Sequence, residues 1–172
     1  KLRKQQVEIR VLDMCDAVVV GRNVEDDLVE LKAVWPEAGR KVARQIAGHA
    51  NAAGGAPILW VIGADERGRS LRSPKAVNRL LVGADEQWFA GVSPQLAHTL
   101  VVPVRGERVV ALVFETDPAP YVVTADGQGG VDREVPWRSA NQTRSAHREE
   151  LLRLLVEKAH VPQAEVLEAT LH

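Results

Sequence analysis

Glu25-Asp-Asp-Leu-Val-Glu30-Leu-Lys32, an amphipathic run ending His49-Ala-Asn51, the pair Gly54-Gly55, and then Ile58-Leu-Trp-Val-Ile-Gly63-Ala-Asp65 decide the fold. If the first piece is extended, its side chains alternate, so Val29 and Leu31 face one side while Glu30 and Lys32 face the other. Val42, Ala43, Ile46, Ala47 and Ala50 then recur at helical spacing, with Pro36 suited to the first turn and Glu37 to the N-terminal dipole. The two glycines stop that helix. Pro57 to Ala64 is almost continuously apolar, the pattern of a central strand buried on both faces. Strand, helix and buried strand in this order imply parallel pairing through a right-handed crossover.

Residues 4–20 read as a preceding helix, with Val7, Val11, Met14, Cys15 and Val18 on one face and Gly21 as its stop. Downstream, Ser73-Pro74 opens a helix through Leu81, and a short helical piece covers Asp85 to Phe89. Thr99–Val104 and Arg108–Glu115 form a hairpin across Arg105-Gly106-Glu107. Pro120–Ala125 and Val131–Pro136 are two more strands around Asp126-Gly-Gln-Gly-Gly130. Ser145 caps a last helix that buries Leu151, Leu152, Leu155 and Ala159, and residues 161–172 add a short helix or an extended arm. The expectation is one α+β domain, a mixed sheet of about five or six strands with helices packed mainly on one side, divided as an N-terminal helix over 1–23, the domain over 24–160 and the arm over 161–172. Val29, Leu31, Ile46, Ile58, Leu59, Val61, Leu112 and Leu152 are its expected core.

With 172 residues, a core of useful size is available, and 22 Lys and Arg against 23 Asp and Glu give a net charge of −1. That balance excludes coating nucleic acid by bulk electrostatics but leaves room for a local basic patch. The single cysteine, Cys15, sits on the apolar face of its helix and reads as core, which together with the lack of a long apolar run or signal peptide suits a cytoplasmic protein with no membrane partner. The first residue is Lys1 rather than methionine, as expected of a fragment or a processed chain.

Two sets of side chains carry chemistry. Glu25, Glu30 and Asp65 could converge from a loop, a strand and the end of the neighbouring strand to hold Mg²⁺ or Mn²⁺, with Lys32 beside them for phosphodiester chemistry. A solvated ion pair on a half-buried strand would use the same residues. Arg133, Arg138, Arg144 and Arg148 surround Trp137 and a polar run that includes Thr143, a set able to contact phosphates at a helix start. Pairing of these arginines with Glu134, Glu149 and Glu150 is the competing reading. The five histidines are scattered and give no zinc spacing, His49 reading as a core or capping residue, and no phosphate-binding loop or nucleophile elbow is present.

Several of these stretches together resemble the Schlafen AlbA_2 domain family, described as DNA-binding. The family pattern Glu-Ser-x-x-Val-Glu-Phe-Lys is met by Glu25-Asp-Asp-Leu-Val-Glu30-Leu-Lys32, the helix end Ala-Phe-Ala-Asn-Thr-x-Gly-Gly by Ala47-Gly-His-Ala-Asn51-Ala-Ala-Gly54-Gly55, and Ile-Gly-Val-Asp by Ile62-Gly63-Ala64-Asp65. A late arginine, small polar turn and threonine match Arg138-Ser-Ala-Asn-Gln-Thr143-Arg144, and the likeness spans Glu25 to Leu155. Asp26, Leu31 and Ala64 depart from the family's serine, phenylalanine and valine. The resemblance implies an α+β domain that binds DNA or RNA. In Schlafen proteins two such lobes form a clamp, which for a single lobe implies a homodimer, and some members cut tRNA or rRNA with three carboxylates and a divalent metal. Those carboxylates fall on Glu25, Glu30 and Asp65, making a metal-dependent endoribonuclease the alternative, while many bacterial members act as binding or regulatory protein-interaction modules.

Overall fold

In the computed structural model, which describes residues 3–75, 86–117, 119–124, 132–140 and 142–156, the chain opens with α1 (Lys4–Val19). Gln6 Oε1 accepts the Arg3 N–H at 3.0 Å at its start, and Gly21 closes its end with φ of 76°. Next come β1 (Val29–Lys32), α2 (Arg40–Ala52) and β2 (Ile58–Ile62). β1 and β2 pair in parallel, Val29 opposite Leu59 and Lys32 opposite Ile62, so the strand–helix–strand unit forms as its pattern dictates. α2 begins at Arg40 with Gly39 preceding it, and Pro36 lies before the helix rather than in its first turn.

At Gly63 the backbone takes φ of 100°, and a Cβ there would stand 2.4 Å from the Arg72 carbonyl oxygen. Only glycine fits that turn without strain. It diverts the chain out of β2 into a small ribbon of β3 (Ala64–Asp65) and β4 (Ser70–Leu71). A 3-10 turn at Glu86–Trp88 precedes β5 (Gln95–Val104) and β6 (Glu107–Glu115), which form the expected hairpin. Its two-residue turn has Arg105 at φ 51° and Gly106 at φ 81°, the primed geometry that matches strand twist. β5 starts earlier than its alternation suggests, because a bulge between Leu96 and His98 breaks the period of two.

The main sheet is four-stranded and mixed, in the order β1-β2-β6-β5, so the molecule is a single α+β fold. The expected fifth and sixth strands do not join it. β7 (Val123–Thr124) and β8 (Arg133–Glu134) make their own ribbon, as do β9 (Pro136–Ser139) and β10 (Gln142–Ser145). The reason lies on the outer edge of β1, where side chains take the backbone groups another strand would use. Arg138 donates to the Val29 carbonyl at 3.3 Å, and Glu25 Oε1 accepts the Leu31 N–H at 3.0 Å.

The helices cover both faces of the sheet rather than mainly one. α1 lays Val7, Val11, Met14, Cys15 and Val18 on Val29, Leu31, Leu59, Val61, Val109, Ala111 and Val113. α2 lays Val42, Ile46, Ala47 and Ala50 on Ile58, Trp60, Ile62, Val110, Leu112 and Phe114. A central strand apolar on both faces requires both covers. The last helix, α3 (Arg148–Val156), buries Leu154 alone; Leu152 is 43% and Leu155 61% exposed, so the expected stripe is displaced round the helix. Ser145 does not cap it. Its hydroxyl donates to Glu134, and Glu150 accepts the His147 N–H at the helix start. The helix expected from Ser73 to Leu81 lies beyond Lys75 outside the described residues, as do the 126–130 turn, Ala125, Val131, Ala159 and the 161–172 arm.

Candidate functional site

β1 places Glu30 and Lys32 on the α2 face of the sheet, opposite Val29 and Leu31, as alternation requires. Glu30 lies beside buried Trp60 of β2 in the parallel register. Its carboxylate accepts from Lys32 Nζ at 2.6 Å and from the Arg138 guanidinium. Lys32 Nζ also stands 5.4 Å from the Trp60 ring centre, within cation–π reach. Trp60 Nε1 donates to His49 Nδ1 at 3.1 Å, which fixes His49 as the neutral Nε2–H tautomer. Burial, then the positive Arg138, push the His49 pKa down to about 3, with Lys32 adding to the effect and the Asp27 backbone opposing it.

Over this floor runs a cleft of about 310 Å³ between α2 and the β9–β10 ribbon. α2 contributes Lys41, Arg44 and Gln45, spaced so that they share one helix face. The ribbon contributes Arg138, Gln142 and Thr143, while Glu30 and Trp60 close the base. Gly48 lets the ribbon approach the helix, since a Cβ at that position would meet Thr143 Cγ2 at 2.7 Å. Asn51, the asparagine of the Asn-Ala-Ala-Gly-Gly stretch, is fully buried and ties the elements together. Its amide donates to the Tyr121 and Pro136 carbonyls at 2.9 and 2.8 Å and accepts the Tyr121 N–H at 2.7 Å.

Arg44 is held in place by Glu134, which accepts from its Nε and Nη2 at 2.8 and 2.7 Å, and by the Thr143 carbonyl at 2.8 Å. The hydrogen bonds from Arg44 hold the Glu134 carboxyl below its usual range. Lys41 is exposed and has no ion pair with any described residue.

The expected carboxylate centre does not assemble. Among the described residues no group of three or more His, Cys, Asp or Glu side chains is placed to hold a metal ion. Glu30 already bridges two cations, and Glu25 is spent on the Leu31 N–H at the sheet edge, its pKa raised chiefly by burial. Asp65, carried off β2 by the Gly63 turn, accepts the Gly68 N–H at 2.9 Å. Mg²⁺ or Mn²⁺ on Glu25, Glu30 and Asp65, and with it a catalytic role for Lys32, does not fit this arrangement.

The basic set divides. Arg138 is 7% exposed and spends its donors on Glu30, Val29 and Ala140. Arg144 forms a two-pronged pair with Glu150 at 2.7 and 2.6 Å, which pulls the Glu150 pKa down to about 2. Arg133 and Arg148 are exposed, and Thr143 lines the cleft. Sequence reasoning missed Lys41, Arg44 and Gln45, while Gln142 stood in the polar run between the arginines. The first three carried a legible signal, a polar i, i+3, i+4 stripe on the helix whose apolar face was already assigned.

No protein-family model matches this chain, and no curated protein matches it. Among solved structures the chain is similar to the DIP2311 protein from Corynebacterium diphtheriae, a structural-genomics target, with a TM-score of 0.53 and 16% identity. The likeness covers 95% of this chain and 31% of that one, so this chain spans about a third of the length of that protein. At that identity the match shows a shared fold.

Proposed function

We propose that this domain binds nucleic acid through the cleft between α2 and the β9–β10 ribbon. The observation that carries the reading is the lining of that cleft, in which Lys41, Arg44 and Arg138 outnumber the single carboxylate Glu30 and stand among neutral donors from Gln45, Gln142 and Thr143. Such a set suits anionic oxygens: Lys41 adds an unpaired point charge, Gln45, Gln142 and Thr143 offer neutral donors, and Arg44 and Arg138, held by Glu134 and Glu30, stand behind them as fixed charges. The resemblance to the AlbA_2 family supports nucleic acid as the source of the anion. On this reading the contact surface is centred on Lys41 and Arg44, with Arg133 and Arg148 as exposed outliers, and Arg138 acts from beneath as a fixed charge.

Fluorescence anisotropy with tRNA, single-stranded DNA and duplex DNA at low salt tests the proposal. Binding should weaken as salt rises, by roughly 0.7–0.9 log units per log unit of salt for each phosphate contacted. Lys41→Glu should lower affinity at least tenfold with little change in melting temperature, because the side chain is exposed. No retention of any of the three nucleic acids at low salt would overturn the reading.

A further inference from the structure

The main sheet ends differently at its two edges. At β1, Arg138 and Glu25 occupy backbone groups of Val29 and Leu31. At β5 nothing does: among the described residues no strand, bridge or hydrogen bond to a further element lies beyond Gln95–Val104. Edge strands are ordinarily blunted by charge, proline or a bulge. β5 has no Asp, Glu, Lys or Arg, and its proline and its bulge sit toward its two ends, at Pro103 and between Leu96 and His98. They bracket an open stretch from His98 to Val102.

Pairing within the hairpin decides which groups point outward. Val104 and Glu107 flank a two-residue turn and are therefore a hydrogen-bonded pair. Counting back, Val102, Leu100 and His98 bond to β6, while Pro103, Val101 and Thr99 direct their backbone groups away from it. Pro103 has no N–H to offer, so the outward donors of this stretch are those of Thr99 and Val101. Thr99 and Val101 are exposed, Val101 by 50%, whereas Leu100 projects to the other face and packs at the margin of the α1-side core.

We propose that this edge pairs, antiparallel, with the same edge of a second copy of the chain about a two-fold axis at Leu100, joining the two four-stranded sheets into one. The proposal goes beyond the nucleic-acid reading and does not depend on it. The available donors set the register. An axis at Leu100 puts Thr99 opposite Val101 of the second copy, and every outward N–H and C=O of both residues is satisfied. An axis at Val101 would put Thr99 opposite Pro103 and leave the Thr99 carbonyl without a donor, and an axis at Thr99 would run Val101 into the bulge.

Two further features favour a second copy as the occupant. A two-fold contact sets like against like, so a charged edge would meet its own sign, and this strand carries no acid, lysine or arginine. Leu100, only partly buried in the single chain, would face Leu100 of the second copy as a non-hydrogen-bonded pair, the closer spacing at about 4.5 Å between Cα atoms. On the opposite face Thr99 and Val101 would form β-branched cross-strand pairs.

Sedimentation equilibrium of the full 172-residue chain, joined to residue-resolved amide exchange, tests the proposal. A dimer that dissociates on dilution, with the Thr99 and Val101 amides protected in the dimer and exchanging freely in the monomer, would bear it out. Val101→Lys should then abolish the dimer and keep the parent's circular dichroism, because the side chain is exposed and the two lysines would be diagonal neighbours across the axis. A monomer at every concentration up to about 1 mM would overturn the proposal and leave the edge to a different chain. A dimer in which the Thr99 and Val101 amides exchange freely, or one that persists in Val101→Lys, would overturn the placement. The exchange pattern of the parent decides the placement even where the variant fails to fold.

Discussion

The two faces of one sheet are built by different rules. On the α1 side, Val7, Val11, Met14, Cys15 and Val18 meet a wall of valine, leucine and alanine, and the buried contact is apolar, with the Asp16–Arg105 and Arg10–Asp26 pairs at its exposed rim. On the α2 side the same strands carry Glu30, Lys32 and Trp60, and the covering elements bury His49, Asn51 and Arg138. An apolar face is non-directional and tolerant of exchange, whereas a buried polar network works only when each group finds its partner. The α1 side therefore holds the sheet, and the α2 side holds a shape. The cleft belongs to the second.

The largest expected effect separates the two sides. Arg138→Ala leaves Glu30 without its buried partner and the Val29 carbonyl without a donor, and should cost about 3–5 kcal/mol in denaturant melts. It is thus a poor probe of binding, because loss of fold and loss of contact coincide. On the other rule, Leu59→Ala removes packing from the α1 side and should cost about 2–5 kcal/mol. The contrast sharpens with replacements that keep volume: Leu59→Met should cost under about 1.5 kcal/mol, while Arg138→Met should recover little, since Glu30 keeps only Lys32 and the Val29 carbonyl keeps no side-chain donor.

Next in size is Gly48→Ala. The added methyl would overlap Thr143 Cγ2, and overpacking of this kind costs about 1–3 kcal/mol. The ribbon should move away from α2, so oligonucleotide affinity should fall along with melting temperature. An unchanged affinity would show that the ribbon does not shape the site.

A pH titration probes His49. Its folded pKa, near 3, lies below the unfolded value of about 6.5, so the unfolded chain takes up the proton first as pH falls. The neutral imidazole's contribution is complete above about pH 6.5 and is lost toward pH 3, with a slope approaching 1.4 kcal/mol per pH unit. Stability measured at pH 7, 6 and 5 should fall along that curve, and His49→Gln should flatten it. An equally steep fall in the variant would assign the acid sensitivity to another group.

The smallest effect distinguishes phosphate from metal at Glu30. Removing its charge in Glu30→Gln frees Lys32 and Arg138 to act on the cleft, so affinity for an oligonucleotide should rise several-fold. A metal-dependent site would respond in the opposite direction, losing divalent-ion binding and gaining nothing for phosphate. Calorimetry with Mg²⁺ and with the oligonucleotide, before and after the substitution, reads both.

Much was legible in the sequence. The alternation around Val29 to Lys32, the run Ile58 to Ile62, the helical spacing from Val42 to Ala50 and the Arg105-Gly106 turn each state a local rule, and each element forms where the rule puts it. Of the expected core, Val29, Leu31, Ile46, Ile58, Leu59, Val61 and Leu112 are buried, and Leu152 is not. Local pattern determines which face of an element is apolar because the periods of strand and helix are fixed by backbone geometry. Only the tertiary structure decided who pairs with whom across the sheet edge. Glu30 and Arg138 are 108 residues apart, and Arg44 and Glu134 are 90 apart, so no spacing rule joins them. Whether a charged side chain is a free contact or a buried partner depends on the opposite charge that folding brings to it. That is why the arginines around Trp137 read as a binding surface in sequence although Arg138 is a buried partner, and why the polar face of α2, which lines the cleft together with the ribbon, was not read as part of a site.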